Sequence, residues 1–330
     1  MKVVVCMEST RASVVPDTEL EGLWRDSLEA LGAFDEIVIK KEAEVDGEIL
    51  RGAAAVIGWK LNGGSLSEEF LEQFPNLRYV ATLNHGYGAF DKMAAKRHGV
   101  TVTNTVYGDV TVAQFTMALL LELCSGTAVN DSYYRNHHFE QEGPRRNPPP
   151  QRQMMELYNK TIGIIGLGRI GLWVARMAQG FGMHVAAYSR HKKQGPEYAG
   201  IEQTSLEELL AASDVISLHC PLNEATKGMI DEAVISRMKD GVILLNTARG
   251  ALIEEHALYQ ALVSGKVAAA GLDVLTGEPL QEKSELFLAP NTILTPHIAW
   301  LTPEALRRQV EAAASNLRAW LAGKPVSVIS

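Results

Sequence analysis

The stretch Gly163-Ile164-Ile165-Gly166-Leu167-Gly168-Arg169-Ile170-Gly171 decides how the chain around it folds. Its later glycines form the pattern G-x-G-x-x-G between an apolar run and a helical pattern. Glycines at these positions allow a tight turn, a close approach of backbone to a pyrophosphate, and close packing of helix on strand. The start of the helix also offers unpaired N–H groups and a positive dipole end. The stretch therefore predicts a dinucleotide-binding turn, the alternative being a plain glycine-rich strand–helix turn.

Strand-like and helix-like segments alternate on both sides of this turn. Short apolar runs such as Val3–Cys6 and Ala54–Ile57 precede it, and runs such as Val185–Tyr188 and Val242–Asn246 follow it. Such alternation favours a parallel sheet with helices on both faces. Because there are two successive series, we predict an α/β protein with two doubly wound, Rossmann-like domains. We expect the last helix, Pro303–Leu321, to return to the first of them.

The overall charge limits the classes of ligand. The 330-residue chain carries a formal net charge of −8, which argues against nonspecific binding to nucleic acid or to an anionic membrane. The three cysteines are far apart and lack metal-ligand spacing, as in a reduced, cytoplasmic protein. No signal peptide or membrane-spanning run is recognisable. We therefore predict a cytoplasmic protein with no nucleic-acid or membrane partner and no metal site; the adjacent pair His137-His138 is poorly placed to share a metal.

One predicted helix is unusually apolar. Residues 110–124 follow Asp109 and are hydrophobic nearly all round, so the helix should be buried. We expect that a monomer would have difficulty covering it, and predict a two-fold homodimer that buries it.

Three polar side chains follow predicted strands in the second half of the chain. Arg249 and His297 each stand just after an apolar strand, and Glu278 lies just beyond Asp273, which ends another. Ligands of open α/β sheets bind at the carboxyl ends of the strands. An arginine can clamp a carboxylate with two hydrogen bonds, and a histidine beside a carboxylate can transfer a proton near neutral pH. Each residue alone could be an ordinary surface or turn residue; together, with the glycine turn, they predict an active site.

The chain resembles the D-isomer-specific 2-hydroxyacid dehydrogenase family over most of its length. The resemblance is carried by His85-Gly86-Tyr87, Val102-Thr103-Asn104-Thr105, Val112-Ala113-Gln114-Phe115, the glycine turn, His219-Cys220-Pro221-Leu222, Leu245-Asn246-Thr247-Ala248-Arg249-Gly250, Gly271-Leu272-Asp273-Val274, Glu278-Pro279 and Thr295-Pro296-His297-Ile298-Ala299. Within the family, the chain most resembles glycerate dehydrogenases, also called hydroxypyruvate or glyoxylate reductases. This closer resemblance is carried by Tyr107-Gly108 with Ala113-Gln114, and by Ala299-Trp300 with 322–326.

The resemblance implies a domain arrangement and a role for each matching residue. Residues 1–104 and 298–330 would form a flavodoxin-like substrate-binding domain, and residues 105–297 the dinucleotide-binding domain with helix 110–124 as dimer element. Arg249, Glu278 and His297 would be catalytic. Asn84, His85, Gly86 and Trp300 would bind a small anionic 2-keto or 2-hydroxy acid together with Arg249 and His297. Cofactor contacts would come from Val112, Gly166, Gly168, Arg169, Ile170, Gly171, Ser189, Arg190, Lys192, Cys220, Pro221, Thr226, Thr247, Ala248, Asp273 and Ala299.

Two stretches depart from the family pattern. A member that prefers NAD would carry an acidic residue after Tyr188, where this chain has Ser189-Arg190-His191-Lys192-Lys193. A hydroxyl and a basic cluster suit a 2′-phosphate, so we predict NADP as the preferred cofactor and NAD as the second choice; the alternative is a solvated basic turn. The stretch 141–155, which contains the proline-rich segment 141–153, lacks a tryptophan expected nearby. This departure concerns the outer wall of the substrate pocket.

The predicted activity is hydride transfer between NADPH or NADH and a small 2-keto acid, giving a D-2-hydroxy acid, with hydroxypyruvate or glyoxylate as substrate. Formate oxidation is disfavoured, because in the relative that oxidises formate the acid/base histidine is partnered by glutamine, whereas this chain has Glu278. D-lactate and phosphoglycerate-type dehydrogenases are the enzyme alternatives. A nucleotide-sensing corepressor-like binding protein on the same fold is the alternative from another class.

Overall fold

The chain forms two compact units in a computed structural model that describes residues 1–8, 14–62, 64–86, 89–137, 153–278, 280 and 282–330. The first unit comprises Met1–Gly108 and Leu301–Ser330, and the second comprises Asp109–Trp300. The two divisions fall four and three residues later than the predicted boundaries at 104 and 297. Except for Gln153, the proline-rich stretch 141–153 lies outside the described residues.

The first unit contains a five-stranded parallel sheet. The alternating apolar runs of the sequence form its strands, and Asp or Ser residues cap several helices. Its elements up to residue 108 are β1 Lys2–Met7, α1 Asp17–Glu29, β2 Glu36–Lys41, α2 Gly47–Leu50, β3 Ala53–Ile57, α3 Glu68–Gln73, β4 Tyr79–Ala81, α4 Lys92–Arg97 and β5 Thr101–Thr103. The strands lie in the order β2-β1-β3-β4-β5.

The second unit contains a seven-stranded parallel sheet. Its elements are α5 Asp109–Ser125, α6 Thr127–His137, β6 Thr161–Ile165, α7 Arg169–Gly180, β7 His184–Tyr188, β8 Glu202–Gln203, α8 Leu206–Ala212, β9 Val215–Leu218, α9 Glu232–Ser236, β10 Val242–Asn246, α10 Glu255–Ser264, β11 Val267–Leu272 and β12 Thr292–Leu294. The strands lie in the order β12-β11-β10-β9-β6-β7-β8. The two parallel sheets confirm the predicted α/β class. The sequence pattern does not predict α6, whose residues are mostly polar and exposed.

Helix α11, Pro303–Leu321, belongs to the first unit, where its polar side chains reach the backbone beside β4 and β5. The buried Gln309 amide donates to the carbonyl of Leu83 at 2.7 Å, and the Asn316 amide donates to the carbonyl of Asn104 at 3.0 Å. Hydrogen bonds from buried amides are costly to break. The end of the chain is therefore tied to the segments that follow the first sheet.

The strand order of the second unit places the glycine turn at the point where the order reverses. The chain runs from β6 outward through β7 and β8, then returns to β9 on the other side of β6. In such sheets the crevice beside this reversal is the usual ligand site. The turn after β6 and the segment after β9 are adjacent there, as the hydrogen bond from the His219 N–H to the carbonyl of Ile165 shows at 2.8 Å.

Helix α5 is covered mainly by its own chain. It packs against α7, β10, β11 and β12, and ten of its seventeen residues are buried. Only Gln114, Ala118 and Leu121 are exposed along it, a strip with helical spacing. The expectation that a monomer would have difficulty covering this helix is therefore wrong, because the second sheet and α7 supply the apolar partners. The homodimer itself stays a prediction.

Across the residues that the structure describes, no single helix is long and apolar enough to cross a membrane. The pair Asp109–Ser125 and Thr127–Asn136, bent by 51°, meets the length and composition criteria together. Within the same residues, no group of three or more His, Cys, Asp or Glu side chains is arranged to hold a metal.

Candidate active site

The glycine turn leads directly into α7 and leaves the start of that helix open. Gly166 has φ +103°, and a Cβ there would lie 2.5 Å from the backbone nitrogen of Cys220. A Cβ on Gly171 would lie 2.3 Å from the Gly166 carbonyl oxygen, so this glycine lets the helix sit close to the turn. Gly168 caps α7 without a side-chain hydrogen bond, and a Cβ on it would meet nothing within 4 Å. The free N–H groups and open space suit a phosphate.

Two further predicted cofactor residues occupy the first turn of α7. The exposed Arg169 donates through Nε to the carboxylate of the buried Asp109 at the start of α5. Ile170 is partly buried and packs on the core between α5, α7 and the sheet. Because the ion pair holds only Nε, both terminal nitrogens of Arg169 can serve a phosphate. The sequence carried no local signal for Asp109 as the partner, since sixty positions separate the pair.

The basic turn after β7 extends from the same sheet. The Ser189 hydroxyl donates to the carbonyl of His191 at 2.9 Å, and Lys193 is bound through its backbone to the Gln203 amide. Arg190 and Lys192 are exposed, and neither forms an ion pair with any residue the structure describes. Two cations that are not neutralised internally can therefore face an anionic ligand.

The segment after β9 adjoins Gly166. The hydroxyl of Ser217 and Nε2 of His219 lie 2.8 Å apart, and burial lowers the pKa of His219 to about 4. Burial also raises the pKa of the Cys220 thiol to about 11, so this cysteine stays protonated and poorly nucleophilic. The Thr226 hydroxyl donates to the carbonyl of Pro221 at 2.7 Å and thereby closes the following loop.

Arg249 stands at the end of β10 in a loop that Asn246 holds. The Asn246 amide donates to the carbonyl of Arg249 at 2.9 Å and accepts from the N–H of Ala248 at 3.0 Å. Arg249 is partly buried, and burial lowers its pKa while the charge of Glu278 opposes that effect. An arginine remains charged in proteins, so this loop presents a fixed cation at the sheet edge.

The neighbouring residue Thr247 is buried, and its hydroxyl lies 2.8 Å from that of Thr116 on α5. Thr116 also donates to the carbonyl of Val112 at 2.8 Å. The predicted cofactor residues Val112 and Thr247 are thus linked through one buried hydroxyl.

His297 lies in a turn that Asp273 stabilises through hydrogen bonds. The Asp273 carboxylate is fully buried and accepts three hydrogen bonds, from the Thr295 hydroxyl at 2.6 Å and from the N–H groups of Ile298 and Ala299 at 2.9 Å each. Its carbonyl also accepts from the N–H of His297 at 2.8 Å. Burial raises the pKa of Asp273, and these hydrogen bonds together with the charge of His297 oppose the rise. His297 itself has φ +56°, an uncommon backbone conformation that this network holds.

Within that arrangement Asp273 acts on the turn, since its carboxylate is inaccessible and engaged on both oxygens. The role in cofactor binding that the family resemblance implies for Asp273 stays a prediction. Ala299 is buried beside it, and the indole of Trp300 donates to the carbonyl of His297 at 3.1 Å.

The central pair of the site is His297 with Glu278. Nδ1 of His297 lies 2.6 Å from one carboxylate oxygen of Glu278, and the other oxygen accepts from the N–H of Leu275, also at 2.6 Å. An ionised carboxylate only accepts, so Nδ1 is the donor and Nε2 is the atom left to exchange a proton with a ligand. Both side chains are partly exposed, as a pair that meets a substrate must be.

The predicted substrate residues Asn84, His85 and Gly86 belong to the first unit and follow β4. The carbonyl of Asn84 accepts from the N–H of Thr105 at 3.3 Å, and the carbonyl of His85 accepts from the Asn104 amide at 2.9 Å. Their carbonyls are therefore engaged by the segment after β5.

An open helix start that suits a phosphate, a guanidinium and a histidine–carboxylate pair all lie at the carboxyl edge of one parallel sheet, an arrangement expected of an enzyme that binds a dinucleotide and a small anionic substrate. Residues 117–299 match the sequence pattern of the family described as "D-isomer specific 2-hydroxyacid dehydrogenase, NAD binding domain". The chain is 40% identical over 317 residues to a hydroxypyruvate reductase of Blautia hydrogenotrophica, covering 93% of this chain and 94% of that one. It is 40% identical over 262 residues to a glyoxylate reductase of Pyrococcus furiosus, covering 78% and 77% respectively.

A solved structure of an acyclic imino acid reductase in complex with NADPH and D-Arg superposes with a TM-score of 0.79 at 28% identity, covering both chains fully. The chain therefore belongs to the D-isomer-specific 2-hydroxyacid dehydrogenase family, as its motifs predict. It is an oxidoreductase that uses a nicotinamide cofactor to reduce a 2-keto acid, and the corepressor-like alternative is not favoured.

Proposed function

We propose that this protein reduces hydroxypyruvate or glyoxylate to the D-2-hydroxy acid, with NADPH preferred over NADH. The observation that carries the proposal is the contact of 2.6 Å between His297 Nδ1 and Glu278. The names of the two relatives support the choice of substrate, since one is a hydroxypyruvate reductase and the other a glyoxylate reductase.

The residues act in a simple sequence. Arg249 binds the substrate carboxylate with two parallel hydrogen bonds and orients the keto group. Nε2 of His297 donates a proton to the keto oxygen, and Glu278 holds the opposite ring nitrogen and stabilises the charged imidazole before the transfer. When bound, the nicotinamide cofactor supplies the hydride that reaches the keto carbon.

The test of the reaction is a steady-state assay with a panel of 2-keto acids. General acid–base catalysis is typically worth about 10²–10⁴-fold, so His297→Ala should lose kcat by that order while cofactor affinity is nearly kept. Lack of activity on every 2-keto acid, or near-normal kcat in the variant, would contradict the proposal.

The preference for NADPH rests on Arg190 and Lys192, which are exposed, and on Ser189 beside them. A hydrogen bond to a charged group contributes roughly 1.5–3 kcal/mol, and salt screening of exposed charges favours the lower value. We expect kcat/KM with NADPH to exceed that with NADH by at least about tenfold. Ser189→Asp should reverse the order, because aspartate accepts from the free ribose hydroxyl and repels a 2′-phosphate. Equal kcat/KM values with NADPH and NADH in the wild type would show that this basic turn is only a solvated surface.

The proposed contacts on the glycine turn follow from its open helix start. Gly166, Gly168, Arg169, Ile170 and Gly171 would surround the pyrophosphate. Val112, Cys220, Pro221, Thr226, Thr247, Ala248 and Ala299 would line the rest of the dinucleotide site, and Asp273 would contribute through the turn that carries His297. Asn84, His85, Gly86 and Trp300 would bind the substrate.

We also propose a homodimer, supported by exposed apolar side chains of the second unit on and near α5, α6 and α7, such as Leu121, Tyr134, Tyr158 and Phe181. Sedimentation should give about twice the chain mass of 36.0 kDa; a species of the single-chain mass at micromolar concentration would reject it. A reducing, cytoplasmic location is supported by the free cysteines, of which Cys6 and Cys124 are buried.

A further inference from the structure

One carboxylate outside the site binds the chain on both sides of Glu278. Glu255, the first residue of α10, accepts from the N–H of Thr276 at 2.7 Å through one oxygen and from the hydroxyl of Ser284 through the other. Glu278 lies between these two donors in the sequence. The Glu255 side chain therefore binds the loop that carries the partner of His297 on both sides of Glu278. We call these two hydrogen bonds the clamp.

The peptide group between Leu275 and Thr276 connects this clamp to the active site. The N–H of this peptide group, which is that of Thr276, donates to Glu255. The N–H of Leu275, one peptide earlier, donates to Glu278 at 2.6 Å. The same peptide group is pressed against Gly250, where a Cβ would lie 2.0 Å from the Leu275 carbonyl carbon. Displacement of this peptide group would therefore shift both Glu278 and the loop that carries Arg249.

We propose that Glu255 is a positioning residue for the proton-transfer pair, an inference that rests on the proposed function. Glu278 reaches His297 from an exposed loop, and such a loop has many conformations in which the two side chains do not meet. Two hydrogen bonds to one ionised acceptor, on opposite sides of Glu278, restrict those conformations. Glu255 thereby keeps the carboxylate within reach of Nδ1 before substrate arrives.

A purely structural role for Glu255 is the competing explanation, because an acidic residue in the first turn stabilises a helix through its dipole. The two explanations differ in what a substitution changes. A helix-stabilising role affects only the unfolding temperature, whereas a positioning role affects the contact between Glu278 and His297.

The test compares Glu255→Ala, Glu255→Gln and Ser284→Ala with the control His256→Ala. His256 is the next residue of α10, and its Nδ1 pairs with Glu285 at 3.1 Å, so the control removes an exposed helix–loop contact of the same region without touching the clamp. The first readout is the downfield proton resonance of His297 Nδ1–H, assigned by its loss in Glu278→Gln. The others are kcat with hydroxypyruvate, the Kd for NADPH and the unfolding temperature.

For Glu255→Ala we expect the resonance to broaden or vanish and kcat to fall roughly 10- to 100-fold, the scale of a misplaced catalytic group. The Kd for NADPH should stay within about twofold, as for a surface substitution remote from the cofactor. Ser284→Ala, which keeps the hydrogen bond from Thr276, should give smaller losses of the same kind. Glu255→Gln should give the smallest losses, because its amide oxygen can accept from Thr276 and its NH₂ group can donate to the Ser284 oxygen. His256→Ala should leave the resonance and kcat unchanged.

A Glu255→Ala protein that unfolds at lower temperature but keeps the resonance and kcat would overturn the proposal. If that variant does not fold, an unchanged resonance and an unchanged kcat in Ser284→Ala would overturn it instead. The resonance does not depend on turnover, so a wild type inactive on 2-keto acids would refute the proposed function while the spectra still decide the role of Glu255.

Discussion

Replacing Asp273 by asparagine would test how the turn that carries His297 is held. The side chain is fully buried and has the same shape in both residues, so the change alters hydrogen bonding rather than packing. The carboxylate accepts from Thr295 and Ile298 on one oxygen and from Ala299 on the other. In Asp273→Asn, an amide NH₂ must replace one oxygen and will face a backbone N–H in either orientation.

The magnitude follows from counting those groups. At least one buried backbone N–H loses a charged acceptor, which costs roughly 1.5–3 kcal/mol. Removal of the buried charge returns part of this, because burial raises the pKa of Asp273 and so penalises its ionised form. A net loss of about 2 kcal/mol corresponds to a fall of about 4–8 °C in the Tm of the second unit. Displacement of the turn should also lower kcat roughly 100-fold.

The assay is thermal unfolding followed by circular dichroism, together with kcat for hydroxypyruvate and the Kd for NADPH. Thr295→Val serves as the matched control, because it removes one donor and leaves both backbone N–H groups paired with the carboxylate. We expect the control to retain most of kcat. An asparagine variant with unchanged Tm and near-normal kcat would refute the argument that Asp273 holds the turn.

Other perturbations follow from the same geometry. Arg249→Lys keeps the charge but loses the two-pronged contact, so kcat/KM should fall by at least about tenfold; equal values would exclude bidentate binding. Gly166→Ala should lower both the Tm and the affinity for NADPH, because its Cβ would meet backbone at 2.5 Å with φ +103°, whereas Gly168→Ala should lower the affinity alone, since its Cβ meets nothing. Because the pKa of His219 is lowered from 6.5 to about 4, the unfolded chain gains its proton first as pH falls, and stability should be lost between these values by up to about 3 kcal/mol. Measured by urea unfolding, the free energy of unfolding should fall less steeply at acid pH in His219→Gln than in the wild type. Equal slopes would contradict the conclusion that burial lowers the pKa of His219.

The sequence alone determined the features that depend on neighbouring residues. A strand, a glycine turn and a helix start are encoded by residues 162–174, and the glycine spacing specifies where backbone approaches a ligand. Arg249 and His297 could be placed because apolar strands end just before them, and the carboxyl ends of parallel strands share one edge. The prediction that Glu278 partners His297 came from the family motifs, and the distance of 2.6 Å supports it.

Only the tertiary structure decided which distant groups satisfy one another. The clamp by Glu255 and the pairing of Asp109 with Arg169 join residues separated by 21 to 60 positions. The burial of α5 within one chain likewise depends on the surfaces that α7 and the sheet present to it. Periodicity reports which face of a segment is apolar, but it does not say which other segment covers that face. A buried carboxylate such as Asp273 looks like any acidic residue at a strand end until its donors are assembled around it, because hydrogen bonds form between neighbours in space rather than in sequence.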